Sequence, residues 1–422
     1  MISAALSRTL RALRHRNFRL FFFGQLVSLT GSWMQGLAQG WLVWRLTQST
    51  FLLGLVGFAQ LAPVLVLGFV GGVAADRFER RRIVLATQIV ALVQSATLAA
   101  LTLSGRIAVW QVLVLATVLG VVNAFDFPGR QSLLSDLVDR EDLGNAIALN
   151  STIFNGARIV GPSLAGAIVA RWGEGVCFAL NAVSYLAVIA SLLAIRVAAR
   201  PAAAGAGAGA WKGFLEGLAY ARRTPHVRAL LALVALTSIF GMSYLSFLPA
   251  FAGGVLGRGP EGLGMLMASV GAGAIVGALT LAWRHGIRGL DGVVFRHALI
   301  FGSAVLVFSL SRSFPLSCAA VAAAGYGAMV QMAACNTLLQ ALVPDALRGR
   351  LMSLYTVVFA GLMPLGSLSI GFATRWAPLP ATLSACSLVV LAAAAAFGLW
   401  ARGWEVPAPD MKTGGTEAPP VT

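Results

Sequence analysis

Gly71-Gly72-Val73-Ala74-Ala75-Asp76-Arg77-Phe78-Glu79-Arg80-Arg81-Arg82 is a short, strongly basic stretch held between apolar runs at 51–75 and 83–104. Each run is long enough to cross a bilayer, because about 20 helical residues span a hydrocarbon core of about 30 Å. The stretch therefore reads as a hairpin loop between two crossings. Its arginines place it on the positive, cytoplasmic side of the membrane.

Composition extends that reading to the whole chain. Of 422 residues, 58% are hydrophobic and 11% charged, with mean hydropathy +0.83, whereas soluble domains carry about 25% charged residues. The net charge of +16 comes mostly from arginines between apolar runs. That distribution serves orientation in a membrane and offers no single basic face to nucleic acid. Cys177, Cys318, Cys335 and Cys386 lie inside apolar runs without paired spacing, which suggests helix packing and neither a disulfide framework nor a zinc site. Phosphate-loop and His-Glu-x-x-His signatures are missing, so no enzyme chemistry, cofactor or metal is expected. Gly271, Gly273 and Gly277 fall within an apolar run and read as helix-packing residues.

Apolar spans at 18–45, 51–75, 83–104, 108–135, 146–170 and 175–196, then 227–256, 262–284, 292–311, 314–342, 350–375 and 379–401, make twelve crossings. The first is too long for a cleavable signal core and is expected to be a membrane helix. With the N-terminus inside, only Arg45, Arg106, Arg171, Arg258, Arg312 and Arg375 face outward, and Arg158 lies within a span. The other Lys and Arg residues fall inside, so both termini are expected in the cytoplasm of a multi-pass membrane protein. The domain plan is a six-helix bundle over 1–196, a linker over 197–225, a second bundle over 226–402, and a Pro/Gly/Thr-rich tail over 403–422 expected to be disordered. Within the linker, an Ala/Gly-rich piece precedes a segment with Trp211, Phe214, Leu215 and Leu218 on one helical face, expected as an interfacial helix on the inner leaflet.

The halves repeat. At a spacing of 205 residues, Gly156, Gly161 and Gly166 fall on Gly361, Gly366 and Gly371; at 210, Gly54 falls on Gly264. Glycine recurring with fixed spacing marks close backbone approach, and duplicated six-helix halves are an architecture of transporters.

Candidate working residues are the polar ones that lipid would not tolerate. Gln25, Ser28, Ser32, Gln35 and Gln39 form one stripe on the first helix; it either walls a cavity, with Gln35 contacting substrate, or bonds helices together at roughly 0.6 kcal/mol per contact. Arg158 sits near mid-span on a face shared with Ser151, Asn155 and Pro162. An arginine there costs about 2.5–3.5 kcal/mol to insert and should face a cavity or a partner. Its repeat position is Met363, so the duplicated architecture does not require the charge. It reads as a contact for an anionic or polar substrate or a gate, or else as an arginine satisfied by backbone carbonyls. Tyr244, Tyr326 and Asn336 are the candidates on the second half. Asp126 and Arg130, four apart on the fourth span, are placed to pair.

Gly72, Asp76, Arg77, Arg80 and Arg81 resemble the loop signature of the major facilitator superfamily, with Glu79 replacing its second glycine. Gly161, Pro162 and Gly166 resemble the helix-5 motif of its proton-coupled exporters, with Ala165 in place of one glycine. Asn17–Arg19, Gly24-Gln25, Trp41-Leu42, the Asp126-x-Pro-x-Arg-Gln run and Asn145–Asn150 are similar to the branch that includes the enterobactin exporter and macrolide-efflux permeases. The resemblance implies two pseudo-symmetric six-helix bundles, alternating access and proton-driven export of a bulky small molecule. It also implies a charge relay of Asp76, Arg80 and Asp126 that closes the cytoplasmic side. At the 210 spacing Gly286 stands opposite Asp76, so this gate should depend on the first half. The expected partners are a small molecule, protons and the lipid bilayer, with the chain acting as a monomer. No carboxylate falls at mid-span, which leaves a uniporter or an importer as the other reading, and a transporter-like sensor or membrane-embedded enzyme as a remote one.

Overall fold

The computed structural model describes residues 10–196, 210–284 and 286–401. The Ala/Gly-rich linker piece at 197–209 and the tail expected over 403–422 lie outside the described residues. The first half comprises α1 (Arg16–Thr47), α2 (Thr50–Arg77), α3 (Arg80–Leu103), α4 (Val109–Leu134), α5 (Leu143–Trp172) and α6 (Glu174–Ala194). The second comprises α7 (Pro225–Val255), α8 (Pro260–Ala282), α9 (Leu290–Leu310), α10 (Phe314–Leu342), α11 (Leu347–Ala373) and α12 (Leu379–Trp400). All but α1 are long and apolar enough to cross a membrane by length and composition. α1 is longer, at 32 residues, yet less apolar because of its polar stripe. It completes the twelve.

Termination follows local chemistry. α1 ends where Gln48 takes a left-handed backbone, and Ser49 then caps α2 by accepting from the Leu52 amide. Arg81 Nε donates to the Leu192 carbonyl (2.7 Å) and its Nη2 to that of Leu193 (3.2 Å), covering orphan carbonyls at the end of α6.

Packing divides the molecule by depth. One apolar core runs through both halves, from Met34, Leu42, Leu53 and Val169 to Phe247, Phe251, Leu263 and Ile370. It fills the end of the bundle remote from the basic loops. Toward the arginine-rich face there are two cores instead. One, around Phe18, Val84, Leu133, Leu149 and Val188, belongs wholly to the first half; the other, around Leu230, Val294, Leu338 and Leu351, belongs wholly to the second. The protein is thus closed at one face and parted at the other.

Two helix pairs make the closed side. α2 packs on α11 and α5 on α8. A Cβ placed on Gly264 would lie 2.8 Å from the Pro162 carbonyl oxygen and 3.1 Å from Gly166 Cα; one on Gly54 would lie 3.1 Å from Gly371 Cα. Under the repeat, Gly54 corresponds to Gly264 and Gly371 to Gly166. The two contacts are copies of each other, and only glycine permits backbones this close.

The helix expected in the linker spans Ala210–Arg223 and is not simply laid on lipid. Phe214 and Leu218 pack on the second half's core, Glu216 pairs with Arg350, and Tyr220 Oη donates to the Leu342 carbonyl (3.4 Å). Leu215 is exposed. The side chains of Trp211 and Lys212 lie outside the described residues.

Candidate functional site: a cavity between the halves

The cavity sits where the shared core gives way to the two separate ones. It is open on one side and is lined by Arg158 from α5 against Tyr244, Val270, Met329, Met332 and Phe359 of the second half. α5 stays helical through Pro162. Its opposite wall is irregular. α7 carries π-helical turns at Thr237–Gly241 and Phe251–Val255 around a 3₁₀ segment, Met242–Phe247, which holds Tyr244. α11 carries another at Val357–Gly361, which holds Phe359. Pro364 lies just beyond and cannot donate to the turn before it. Wide turns of this kind re-aim side chains and occur often at functional sites.

Arg158 lies with its guanidinium carbon 5.8 Å from the centroid of the Trp33 ring. It has no carboxylate or hydrogen-bond partner among the described residues. Asn155, one turn earlier, donates to its own helix at the Ser151 carbonyl (2.8 Å). Tyr244 is buried at 2% exposure, its ring 6.5 Å from that of Phe301 and 6.0 Å from that of Phe308. Tyr326 turns away from the cavity toward α9, its hydroxyl 3.3 Å from His297 Nε2. Asn336 accepts from Gln340, farther toward the arginine-rich face.

The α1 stripe does not reach the cavity. Gln35, the residue expected to touch substrate, is 2% exposed inside the first half. Its Nε2 donates to Gln94 Oε1 (3.1 Å), and its Oε1 accepts from Ser95 Oγ (2.7 Å) and Asn181 Nδ2 (2.8 Å). Ser32 donates to the Ser28 carbonyl (2.9 Å) and lies 3.3 Å from the Tyr185 hydroxyl, while Gln39 is 3% exposed. Gln35 and Gln25 thus bond to neighbouring helices, whereas Ser32 donates within α1 and Gln39 Oε1 has no hydrogen-bond partner among the described residues. A stripe must face protein, and sequence does not distinguish a protein-filled interior from a protein-lined cavity.

The basic loop forms a second cluster, and its connections differ from the relay. Asp76 is half-buried and has no hydrogen bond or ion pair among the described residues, Arg77 is exposed, and Arg80 Nη1 meets Asp136 (2.9 Å) and the Ser132 carbonyl (3.2 Å) instead of Asp126. Gly72 has open space around it. Its neighbour Gly71 is the close-packed one, against Phe125 Cα. Asp126, 1% exposed, pairs with Arg130 as its spacing suggests, and accepts from Thr87 Oγ1 (3.0 Å) and Gln88 Nε2 (2.8 Å). Arg130 Nη1 donates to Gln25 Oε1 (2.8 Å). Thr87, Gln88 and Asp136 belong to none of the sequence motifs that mark the other members of the cluster.

Beside this cluster the N-terminal segment clamps the α4–α5 loop. A 3₁₀ turn, Arg11–Arg14, places Arg11 on Asp142 and on the Glu141 carbonyl (2.9 Å); His15 Nε2 lies 2.7 Å from Asp142 Oδ2, and Asn145 accepts from the Ala12 amide (2.9 Å). The His15 hydrogen bond above all, with Arg11 behind it, holds the Asp142 carboxyl below its ordinary pKa.

Residues 7–413 match the family described as transmembrane secretion effector. The chain is 26% identical over 353 residues to the staphyloferrin A transporter of Staphylococcus aureus, covering 83% of this chain and 87% of that one. It is 26% identical over 383 residues to the multidrug efflux pump Tap of Mycolicibacterium fortuitum, covering 88% and 92%. Among solved structures, a bacterial homologue of the human lysosomal transporter Spinster, inward-facing and unoccupied, superposes with a TM-score of 0.70 at 16% identity, covering 92% of this chain and 97% of that one. Similarity extends to the enterobactin exporter and macrolide-efflux branch. The chain belongs to the transmembrane secretion effector family of major facilitator superfamily transporters, and is a membrane transporter and not an enzyme.

Proposed function

We propose that the protein is a proton-coupled exporter working by alternating access in the bacterial cytoplasmic membrane, with the arginine-rich face and both termini in the cytoplasm. It acts as a monomer, residues 1–196 and 226–402 moving as two bodies joined by the linker 197–225. The observation that supports this best is the divided core: one packed end, one parted end, and a cavity holding an intramembrane arginine at the junction. Alternating access needs such an arrangement and a reversible seal. The two glycine pairs supply a seal that separates without unlocking interdigitated side chains. The Lys/Arg bias sets the orientation.

The cargo is a bulky small molecule, siderophore-like, drug-like or macrolide-like, as the relatives' substrates suggest. Asp126 is the proton carrier. It is a carboxylate buried within the first half, and its protonation would release Arg130 and Gln25 together. In the other state, with the cytoplasmic side shut, Asp76 and Arg80 join it as a relay. Purified protein in proteoliposomes loaded with a panel of siderophores, macrolides and drugs tests the reading. Export should follow an imposed pH gradient and stop when that gradient is dissipated. Export unchanged by dissipation would overturn proton coupling and favour a uniporter; accumulation in the reverse direction would favour an importer.

A further inference from the structure

We propose that the cavity selects an amphipathic molecule carrying one acidic group, held between the Arg158 guanidinium and the Tyr244 hydroxyl, with its apolar body on Met242, Met329, Met332 and Phe359. The inference rests on the reading that this cavity is the cargo site.

Charge comes first. Arg158 is the single formal charge among the lining residues, so the cavity carries one uncompensated positive charge near mid-membrane. An arginine at that depth requires a partner. Among the described residues it has only the Trp33 ring, at a distance typical of a weak cation–π contact. No described residue balances that charge, and one negative charge on a bound molecule suffices.

Hydrogen bonding narrows the class. Tyr244 is 2% exposed as a residue, but its hydroxyl is not sealed in the interior and has no hydrogen-bond partner among the described residues, so it is free to bond a molecule in the cavity. It lines the same cavity as Arg158 and lies within its electrostatic reach. A guanidinium only donates and a phenol donates readily, so the pair presents donors to a single acceptor group. A carboxylate accepts from both, and the charge strengthens each bond.

The remainder of the wall offers no direction. Methionine side chains rearrange around apolar shapes at little strain, and such surfaces serve binders of varied partners. The cavity thus fixes the acidic end and accepts many bodies. Selection is by charge at one point and is permissive in outline.

The test is equilibrium binding in lipid nanodiscs by calorimetry, with 1-naphthylacetate and 1-naphthylacetamide, which share their ring system and differ in charge. Wild-type protein should bind the acid at least about tenfold more tightly than the amide. Arg158→Gln should erase that preference by weakening the acid far more than the amide, Arg158→Lys should restore part of it, and Tyr244→Phe should reduce it without loss of thermal stability. Equal binding of acid and amide by wild type, or an acid preference that survives Arg158→Gln, would overturn the proposal. If Arg158→Gln does not fold, Arg158→Lys and Tyr244→Phe decide it by the same ratio. Because binding at equilibrium is blind to direction and coupling, failure here is separable from failure of the export assay.

Discussion

The two halves follow one six-helix plan and differ most at the cavity. In the first half, α1 and α5 run as continuous α-helices, with α1 tied from behind through the Gln35 network and through Gln25 to the Asp126–Arg130 pair. Their repeat counterparts, α7 and α11, are both interrupted by π-helical turns and share the apolar wall with α8 and α10. Where the first half has Arg158 the second has Met363, whose carbonyl merely accepts from Ser243 Oγ (3.0 Å). The contrast is one of physical demand. Buried polar groups hold a fixed geometry because each depends on its partner in a low dielectric. An apolar wall with wide turns has no such obligation and is where helices bend. The first half anchors; the second conforms.

The largest effect that would break this comparison is expected at Asp126. Asp126→Asn leaves Arg130 buried without its counter-charge, and removing one partner of a buried pair costs about 3–5 kcal/mol. Melting in nanodiscs should show that loss, with transport stopped and membrane insertion intact. Asp126→Asn combined with Arg130→Gln should regain stability without regaining transport. Wild-type turnover in Asp126→Asn would remove the charged pair from the working parts.

Next come the glycine contacts. Gly264→Leu and Gly54→Leu should each disfavour the closed seal by about 1–3 kcal/mol, or about 5–150-fold in population. Labelling of a cysteine at Thr374 by an impermeant maleimide, in a background without other cysteines, reports the shift. Because the two contacts are copies, the two variants should behave alike; a one-sided response would show that the pseudo-symmetry of the seal is only geometric.

Gln35→Leu sharpens the comparison from the other side. It leaves Gln94, Ser95 and Asn181 without an acceptor or donor inside the first half, expected at about 1–3 kcal/mol in melting, with substrate KM unchanged. A raised KM would return Gln35 to the cavity wall.

The smallest effect concerns the N-terminal clamp. Asp142 has a folded-state pKa below its ordinary value, so its contribution is fully present above the unfolded value of about 3.9 and fades as pH falls through the lower folded one. Asp142→Asn should lower the melting temperature slightly at neutral pH, and the difference should vanish near or below about pH 4. A difference that persists well below about pH 4 would mean that the Asp142 carboxylate does not govern the clamp.

Much of the architecture is legible along the chain because a bilayer imposes strong rules on it. The span lengths, the basic hairpin and the repeat of glycines all follow from keeping backbone and charge out of lipid, and the helices fall within a few residues of the expected spans. The site is legible only where it violates those rules. Arg158 is conspicuous as a charge at mid-span, and it does line the cavity. Met242, Met329 and Phe359 are apolar residues on apolar helices and carry no mark. Gln35 is conspicuous too, yet it serves the interior of one bundle.

By itself, then, the sequence determined that this is a twelve-helix membrane protein of duplicated plan, since hydropathy, loop charge and glycine spacing are local properties that a membrane translates directly into topology. Tertiary structure alone decided that the duplicated glycines meet across the halves, that Arg80 reaches Asp136 and not Asp126, and that the polar stripe of α1 is turned inward while Arg158 and Tyr244 line one cavity without hydrogen-bond partners among the described residues. Those outcomes depend on how helices rotate and how far the halves part. A sequence of faces gives each helix its choices, and only packing selects among them. The basic loop at Gly71–Arg82 is the measure of both: its position was readable from charge, and its open circuit only from the fold.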